Sequence, residues 1–531
     1  MDHNNGLTNE LLTVARCGPS RAFVRTAYRR LTMALDDTIY RDGSGSDRKP
    51  NVVEHAARSS STTGLPRSVI AMIVTLAFSE TLVAISATAA IPLIPKMSES
   101  FGASGAATAW IAIISPLMGG VVTPVMGRLG DAIGYRKLLV AAFGLLCVGT
   151  LLCAVSTSLA MFLGGRALQG FVIGTMPAVV GILRNHLEPK AVGSALGIVV
   201  AGQGFGVGVG FILGGMLQDF DWSVTFWVVL GLAVLALIAL VTTLPGSISE
   251  HTGGRLDLVG AAVFSCFCLA LLLPLSMGST WGWSSPTTLG LFVLAAVALP
   301  LWAVWELRHP EPTVDVRLFS NPFFVLPNIA GFMMGASVGA LFLLFVGYAS
   351  LPREVAGFGF SASILEAGSF LVPYAMCVMI GGLFVGRFAS RRGPRFMLLV
   401  GSVLTAVTYL VLTVAHIEQW QIYLASAIIG FGGAASNTGM YLMVAQTVSP
   451  DRAGMAQGVN SLVFALGSAS GSAAIAAILT AHTNSLPFSD DRGYGVSYAL
   501  CFVFGLLAAG STVLHGFLAR RRGAVELPLS S

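Results

Sequence analysis

Charge is what this sequence has least of: Asp, Glu, Lys and Arg together make up 10% of its 531 residues. A water-soluble domain carries roughly 25%, so a soluble globular protein is excluded. Cysteine is sparse as well. The seven Cys form no CxxC pair, Cys266 and Cys268 fall on different sides of a helix, and all but Cys17 lie in apolar stretches. Neither a disulfide framework nor a zinc site is supported. The dipeptide Gly-Lys never occurs, which removes the phosphate loop of an ATP-driven pump. All eight His lie in tails, loops or the ends of apolar runs, His515 deepest, so no His–acid pair is available within those runs for an acyltransferase or hydrolase. The chain is therefore not expected to be an enzyme or to need a metal or cofactor.

Apolar residues fill the space that charge leaves, at 55% of the chain with a mean hydropathy of +0.79. From Arg67 onward, runs of membrane-spanning length, roughly 20 residues each, follow one another across short polar gaps. Fourteen are expected, near 68–94, 107–127, 137–157, 160–184, 192–217, 224–244, 258–278, 287–306, 322–349, 363–387, 396–416, 420–446, 455–481 and 496–519. In lipid every peptide group must be bonded internally, so the runs read as helices. The fold class is an all-α polytopic membrane protein embedded in the bilayer.

The net charge of +5 and pI near 8.9 suggest a polyanion partner until the bases are sorted by side. With the amino terminus placed in the cytoplasm, 26 of the 30 Lys and Arg fall inside and only Lys96, Arg353 and Arg492 outside, while Arg166 lies within a span. So lopsided a split follows the positive-inside rule. Both termini are expected in the cytoplasm of a cell-membrane protein, with no nucleic-acid partner. Residues 1–66 are polar, with Ser and Thr clustered at Ser59–Thr63, and read as a disordered cytoplasmic tail. Within it, Ala22–Leu35 has the pattern of a short basic helix for the inner leaflet.

An internal repeat organises the rest. GRLGDAIGYR at Gly127–Arg136 returns as GRFASRRGPR at Gly386–Arg395, offset by 259 residues. LQGFVIG at Leu168–Gly174 returns as IIGFGGA at Ile428–Ala434, and EPKAVGSALG at Glu188–Gly197 returns as SPDRAGMAQG at Ser449–Gly458, at nearly the same offset. The expected organisation is two six-helix halves, 67–245 and 321–520, with two inserted helices and linkers at 246–320 and a short cytoplasmic tail at 521–531. Parallel six-helix repeats around a central cavity are the build of a secondary transporter.

Four sequence features carry the functional expectations. The gap Gly127–Lys137 gathers Arg128, Arg136 and Lys137 around Asp131, punctuated by Gly127, Gly130 and Gly134. Gly134 suits a turn that needs a left-handed backbone, and Asp131 suits a local ion pair or a helix N-terminus. Its counterpart in the second copy is Ser390. Ionisable groups within spans are costly and hence functional candidates. Glu80 sits mid-span in AFSETLV, Arg166 lies about two turns into span 4, and Glu366 stands a few residues into span 10. Asn328, Asn437 and Asn460 add uncharged polarity in the second half. Gly202, Gly206, Gly210 and Gly214 recur every four residues, a spacing that admits another backbone closely. Such a seam serves either packing within a half or a seal between halves.

The loop Gly127–Lys137 resembles the cytoplasmic signature of the major facilitator superfamily. RALQGF, with Arg166, Gln169 and Gly170, resembles that superfamily's helix-4 signature, and GVGVGFILGG, with Gly206, Gly210, Gly214 and Gly215, resembles the helix-5 signature of its drug:proton antiporters. With fourteen runs and W-G-W at Trp281–Trp283, the chain is most similar to the fourteen-helix drug:proton antiporter family from about residue 67 to 520. Phe211 stands where the helix-5 motif usually has proline, and Glu80 lies about a turn before the usual helix-1 acid. The resemblance implies a monomeric proton-driven exporter of drugs or other amphipathic, often cationic, small molecules, as in antibiotic resistance. Glu80, Arg166, Glu366 and Asn437 are the expected proton-coupling and substrate-binding residues. Burial disfavours the charged form of a carboxyl, so one site can hold a proton or a cation alternately. The alternative is a facilitator dedicated to one metabolite or lipid; 31 Phe and 18 Met favour the broader binder.

Overall fold

The computed structural model describes residues 66–103, 105–245, 257–310, 312–449, 452–483 and 488–521. The amino-terminal tail, Ala22–Leu35 included, and the end of the carboxyl-terminal tail lie outside the described residues. Those from Pro66 onward form one compact unit.

Fifteen long helices build it. The first eight are α1 (Arg67–Thr88), α2 (Gly105–Ile133), α3 (Tyr135–Ala154), α4 (Leu159–Ile173), α5 (Met176–His186), α6 (Pro189–Met216), α7 (Ser223–Thr243) and α8 (Leu258–Trp281). Then come α9 (Pro286–Arg308), α10 (Pro322–Ser350), α11 (Val372–Arg392), α12 (Pro394–Leu412), α13 (Gln419–Gln446), α14 (Ala453–Ala481) and α15 (Asp491–Arg521). Their ends follow local chemistry. Ser158, Asp257, Ser285 and Asn321 each accept a backbone N–H from the first turn of the helix they precede. Pro177 in the first turn of α5 has no N–H to continue the ladder of α4, so span 4 breaks at Gly174–Thr175. At the paired turns of the repeat, Gly134 and Gly393 have φ of 95° and 88°, where a Cβ would be strained.

With α4 and α5 counted as one crossing, thirteen spans among the described residues are long and apolar enough to cross a membrane. Where one of the fourteen runs was expected, α13 is a 28-residue helix that is not among them. Its middle carries Ser436, Asn437 and Thr438 beside Gly430, Gly432, Gly433 and Gly439.

Helix pairing repeats along the chain. α1 packs on α6 as α10 packs on α14, α3 on α4 as α12 on α13, and α3 on α7 as α12 on α15. The two sets meet along α6 against α11 and α2 against α14, and α5 also packs against α14. The helix α8 lies on the α2–α14 seam, where Phe264, Phe267 and Leu272 join Leu117, Val121, Ala456 and Val459 in one apolar cluster.

The glycine seam of α6 serves α1. A Cβ on Gly202, Gly206, Gly210 or Gly214 would strike Ala77, Thr81, Thr88 or Ala89 in turn. The face of α6 that meets the other set is a different one, with Gly197 against Gly382 and Gly204 against Val378. The seal-between-halves reading of the first stripe therefore gives way to packing within a set, because the two stripes lie on different sides of the helix. Replacing Gly206 by Val should cost about 1–3 kcal/mol of stability through overpacking, whereas Gly144→Val meets open space. A lower melting temperature in detergent for the first variant alone is expected; equal temperatures would mean that the α1–α6 contact is slack.

Candidate functional site

Glu80, in the middle of α1, is 1% exposed. Its carboxyl meets neutral groups from two other helices. Gln203 Nε2 on α6 donates to Oε2 at 2.8 Å, and Thr175 Oγ1, at the break between α4 and α5, lies 3.2 Å from Oε1. Among the described residues no cationic side chain pairs with it. The Thr175 hydroxyl has one proton and a shorter contact, 2.6 Å, to the Val172 carbonyl, which can only accept. With the Thr175 proton committed to Val172, the hydroxyl oxygen is an acceptor towards Glu80. The arrangement closes when Oε1 carries a proton, so the site is built for a neutral carboxyl. Removing that proton leaves a buried anion whose solvation must come from an incoming cation or water.

From the other set, Tyr441 on α13 is within electrostatic reach of Glu80. Asn437, half-buried one turn earlier, lies on the same face of α13. Gln457 on α14 donates to the Tyr441 carbonyl at 2.7 Å. The Met176 sulfur stands 3.9 Å from Gln203 Nε2 and adds a polarizable wall.

Arg166 belongs to a separate network. It is 1% exposed and donates to the Ser86 carbonyl at 3.0 Å and to Gln169 Oε1 at 2.7 Å, while Gln169 donates to Thr150 Oγ1 at 2.8 Å. Gly170 lets α4 touch the Ser115 carbonyl and Met118 of α2. Arg166, Gln169 and Gly170 thus tie α1, α2, α3 and α4 together. Ser86 lies six residues beyond Glu80, roughly 9 Å along the helix axis, and no bond joins Arg166 to Glu80. Glu366 is not brought to this centre either. It is exposed and forms a capping box with Ser363 at the short helix Ile364–Ser369.

The stretch Gly127–Lys137, helical except at Gly134, finds its partner across the seam. Asp131, 9% exposed, accepts the Gly454 N–H at 3.1 Å and the Met455 N–H at 2.9 Å, both in the first turn of α14. Tyr135 donates its hydroxyl to the same carboxylate, and Arg128 is near enough to act on its charge. The first turn of a helix leaves N–H groups without intrahelical partners and carries partial positive charge, so one carboxylate satisfies both. Gly127 and Gly454 permit the approach, since a Cβ on either would strike the other's backbone. Arg136 donates to the Val241 carbonyl at the end of α7, at 2.7 Å.

Sequence reasoning missed Thr175, Gln203, Tyr441 and Gln457. The available signals were slight: Gln203 as the polar residue of the run AGQGFGVG, and Thr175 just ahead of a helix-breaking proline.

Comparison with known proteins agrees with this architecture. The sequence model described as Major Facilitator Superfamily matches residues 76–472. An uncharacterized MFS-type transporter of Mycobacterium tuberculosis is 28% identical over 417 residues, covering 76% of this chain; the chain spans 58% of that relative's length. The methyl viologen resistance protein SmvA of Salmonella typhimurium is 28% identical over 408 residues, 75% of this chain and 80% of that one. The multidrug transporter protein MdtP of Bacillus subtilis is 25% identical over 399 residues, 74% and 72% of the two chains. In structure, the human organic anion transporter MFSD10 aligns with a TM-score of 0.63 at 16% identity, over 85% of this chain and all of that one. That likeness concerns the fold.

Proposed function

This chain belongs to the major facilitator superfamily, and we propose that it is a proton-driven exporter of amphipathic, often cationic, small molecules in the superfamily's fourteen-helix drug:proton antiporter group. It would act in the cell membrane as a monomer with both termini in the cytoplasm, the orientation that the distribution of Lys and Arg favours.

The observation that carries this reading is Glu80: a buried carboxyl, arranged to hold a proton, bonded by neutral groups from α6 and the α4–α5 break. When a cation enters, it competes with that proton, and the proton leaves to the side facing the site. Alternation between the two ligands couples their fluxes. Two relatives named for multidrug transport and methyl viologen resistance support the substrate class.

In the cycle, Asp131 acts as a latch. Bonded to the first turn of α14, it holds α2 against the second helix set and closes the seam at what we read as the cytoplasmic end. Breaking these two bonds would free the seam for inward opening. Arg166 keeps α1 and α4 in register around the carboxyl rather than exchanging the proton.

Cells that make the protein should clear a cationic dye several-fold faster than cells without it, and an uncoupler should abolish the difference. Efflux that persists with the uncoupler would refute proton coupling.

A further inference from the structure

Two acceptor oxygens on α14 have no hydrogen-bond partner among the described residues although both side chains are completely enclosed: Gln457 Oε1, in a residue 1% exposed, and Asn460 Oδ1, in a residue 0% exposed. Their orientations are fixed by their neighbours. Asn328 Nδ2 donates to the Phe324 carbonyl at 2.8 Å, so Asn328 turns its oxygen towards Asn460. Asn460 must answer with Nδ2, at 3.1 Å, which leaves Oδ1 free. Gln457 must likewise turn Nε2 to the Tyr441 carbonyl, leaving Oε1 free. Flipping any of the three amides would set two acceptors against each other.

The remaining faces of α14 are occupied. Gly454 and Gly458 meet α2, Gly467 and Gly471 meet α10, and Ala456 and Val459 join the cluster around α8. Helical spacing leaves Gln457 and Ser461 on the face between the α2 and α10 contacts, with Asn460 at its edge. Ser461 Oγ is also without a partner there. On this face Gln457 bonds the Tyr441 carbonyl, and the Tyr441 side chain is within electrostatic reach of Glu80. Leaving a buried acceptor unsatisfied is costly, and both of these are carbonyl oxygens that can only accept.

We propose that Gln457 and Asn460 form an acceptor subsite for the N–H groups of a cationic substrate: a protonated amine, amidine or guanidine. Glu80 answers the charge, and the α14 carboxamides answer the hydrogen-bond donors. A quaternary cation, which has charge but no N–H, uses Glu80 and bypasses the subsite. The identity of this ligand as a transported substrate rests on the export reading above.

Pentamidine and methyl viologen are both dications, but only the first has N–H groups, so the pair separates donor recognition from charge. Their binding to the purified full-length protein in detergent can be followed calorimetrically. Gln457→Leu and Asn460→Leu should each weaken pentamidine at least tenfold, the effect of losing one hydrogen bond to a charged donor, and change methyl viologen by less than twofold. Retained methyl viologen binding also reports a folded site. If Gln457→Leu impairs folding, Gln457→Met, of similar length without an amide acceptor, gives the same readout. Equal losses for both dications, no loss for either, or no pentamidine binding by the parent protein would overturn the subsite. Glu80→Gln separates the two readings. It should weaken both dications, and if it weakens neither while Gln457→Leu stays selective, the coupling role of Glu80 fails and the subsite stands.

Discussion

Glu80→Gln should abolish uphill efflux of cationic dyes in vesicles while the protein still folds. Gln is nearly the size of Glu and can accept from Gln203 and donate to the Thr175 oxygen, so both contacts of the native carboxyl survive. What it cannot do is release a proton. Cation affinity should fall about 10–100-fold, since a hydrogen bond to a charged group contributes about 1.5–3 kcal/mol and each 1.4 kcal/mol is about tenfold. Transport of neutral compounds should be altered rather than lost. The readout is dye efflux across a series of imposed pH gradients. A Gln variant with the parent's gradient dependence would move coupling elsewhere, and since Glu366 caps a surface helix, no other sequence-nominated carboxyl lies near this centre.

Asp131→Asn should slow transport about tenfold while leaving substrate affinity nearly unchanged. The native carboxylate takes both N–H groups of the α14 first turn, one on each oxygen, and a hydroxyl from Tyr135. An Asn has one acceptor oxygen, so one of the two N–H groups must face an NH₂. The charge that complements the helix terminus, worth about 0.3–2 kcal/mol, is lost as well. The latched state falls in population, yet the residues around Glu80 are untouched. Paired rate and binding measurements decide the matter. Normal transport would reduce Asp131 to a topology signal, and a parallel loss of binding would place its effect in folding.

How legible these features were depends on how local their causes are. Apolar runs became helices because hydrophobicity and backbone satisfaction act within each segment, and Gly134 turned where its spacing implied. The hydrogen-bond partners of Glu80 were not readable, since Thr175 and Gln203 stand 95 and 123 residues away and are uncharged. Asp131 was readable as an anion suited to a helix terminus, but not that the terminus belongs to α14, 323 residues on at Gly454. The stripe Gly202–Gly214 announced close packing without its partner, because spacing carries no address; the contacts show it to be α1. Glu366 looked intramembrane because the apolar run begins before the helix Val372–Arg392 does, and the intervening turn uses the carboxyl as a cap.

The central claim is that one buried carboxyl exchanges a proton for a cation. It is tested most directly by counting protons. In weakly buffered detergent solution, adding methyl viologen to the purified protein should release up to one proton per cation bound at pH values where Glu80 is protonated. Over that range cation affinity should rise about tenfold per pH unit, because the two ligands compete for one group, and Glu80→Gln should show neither effect. Cation binding without proton release, and with an affinity independent of pH, would contradict the account.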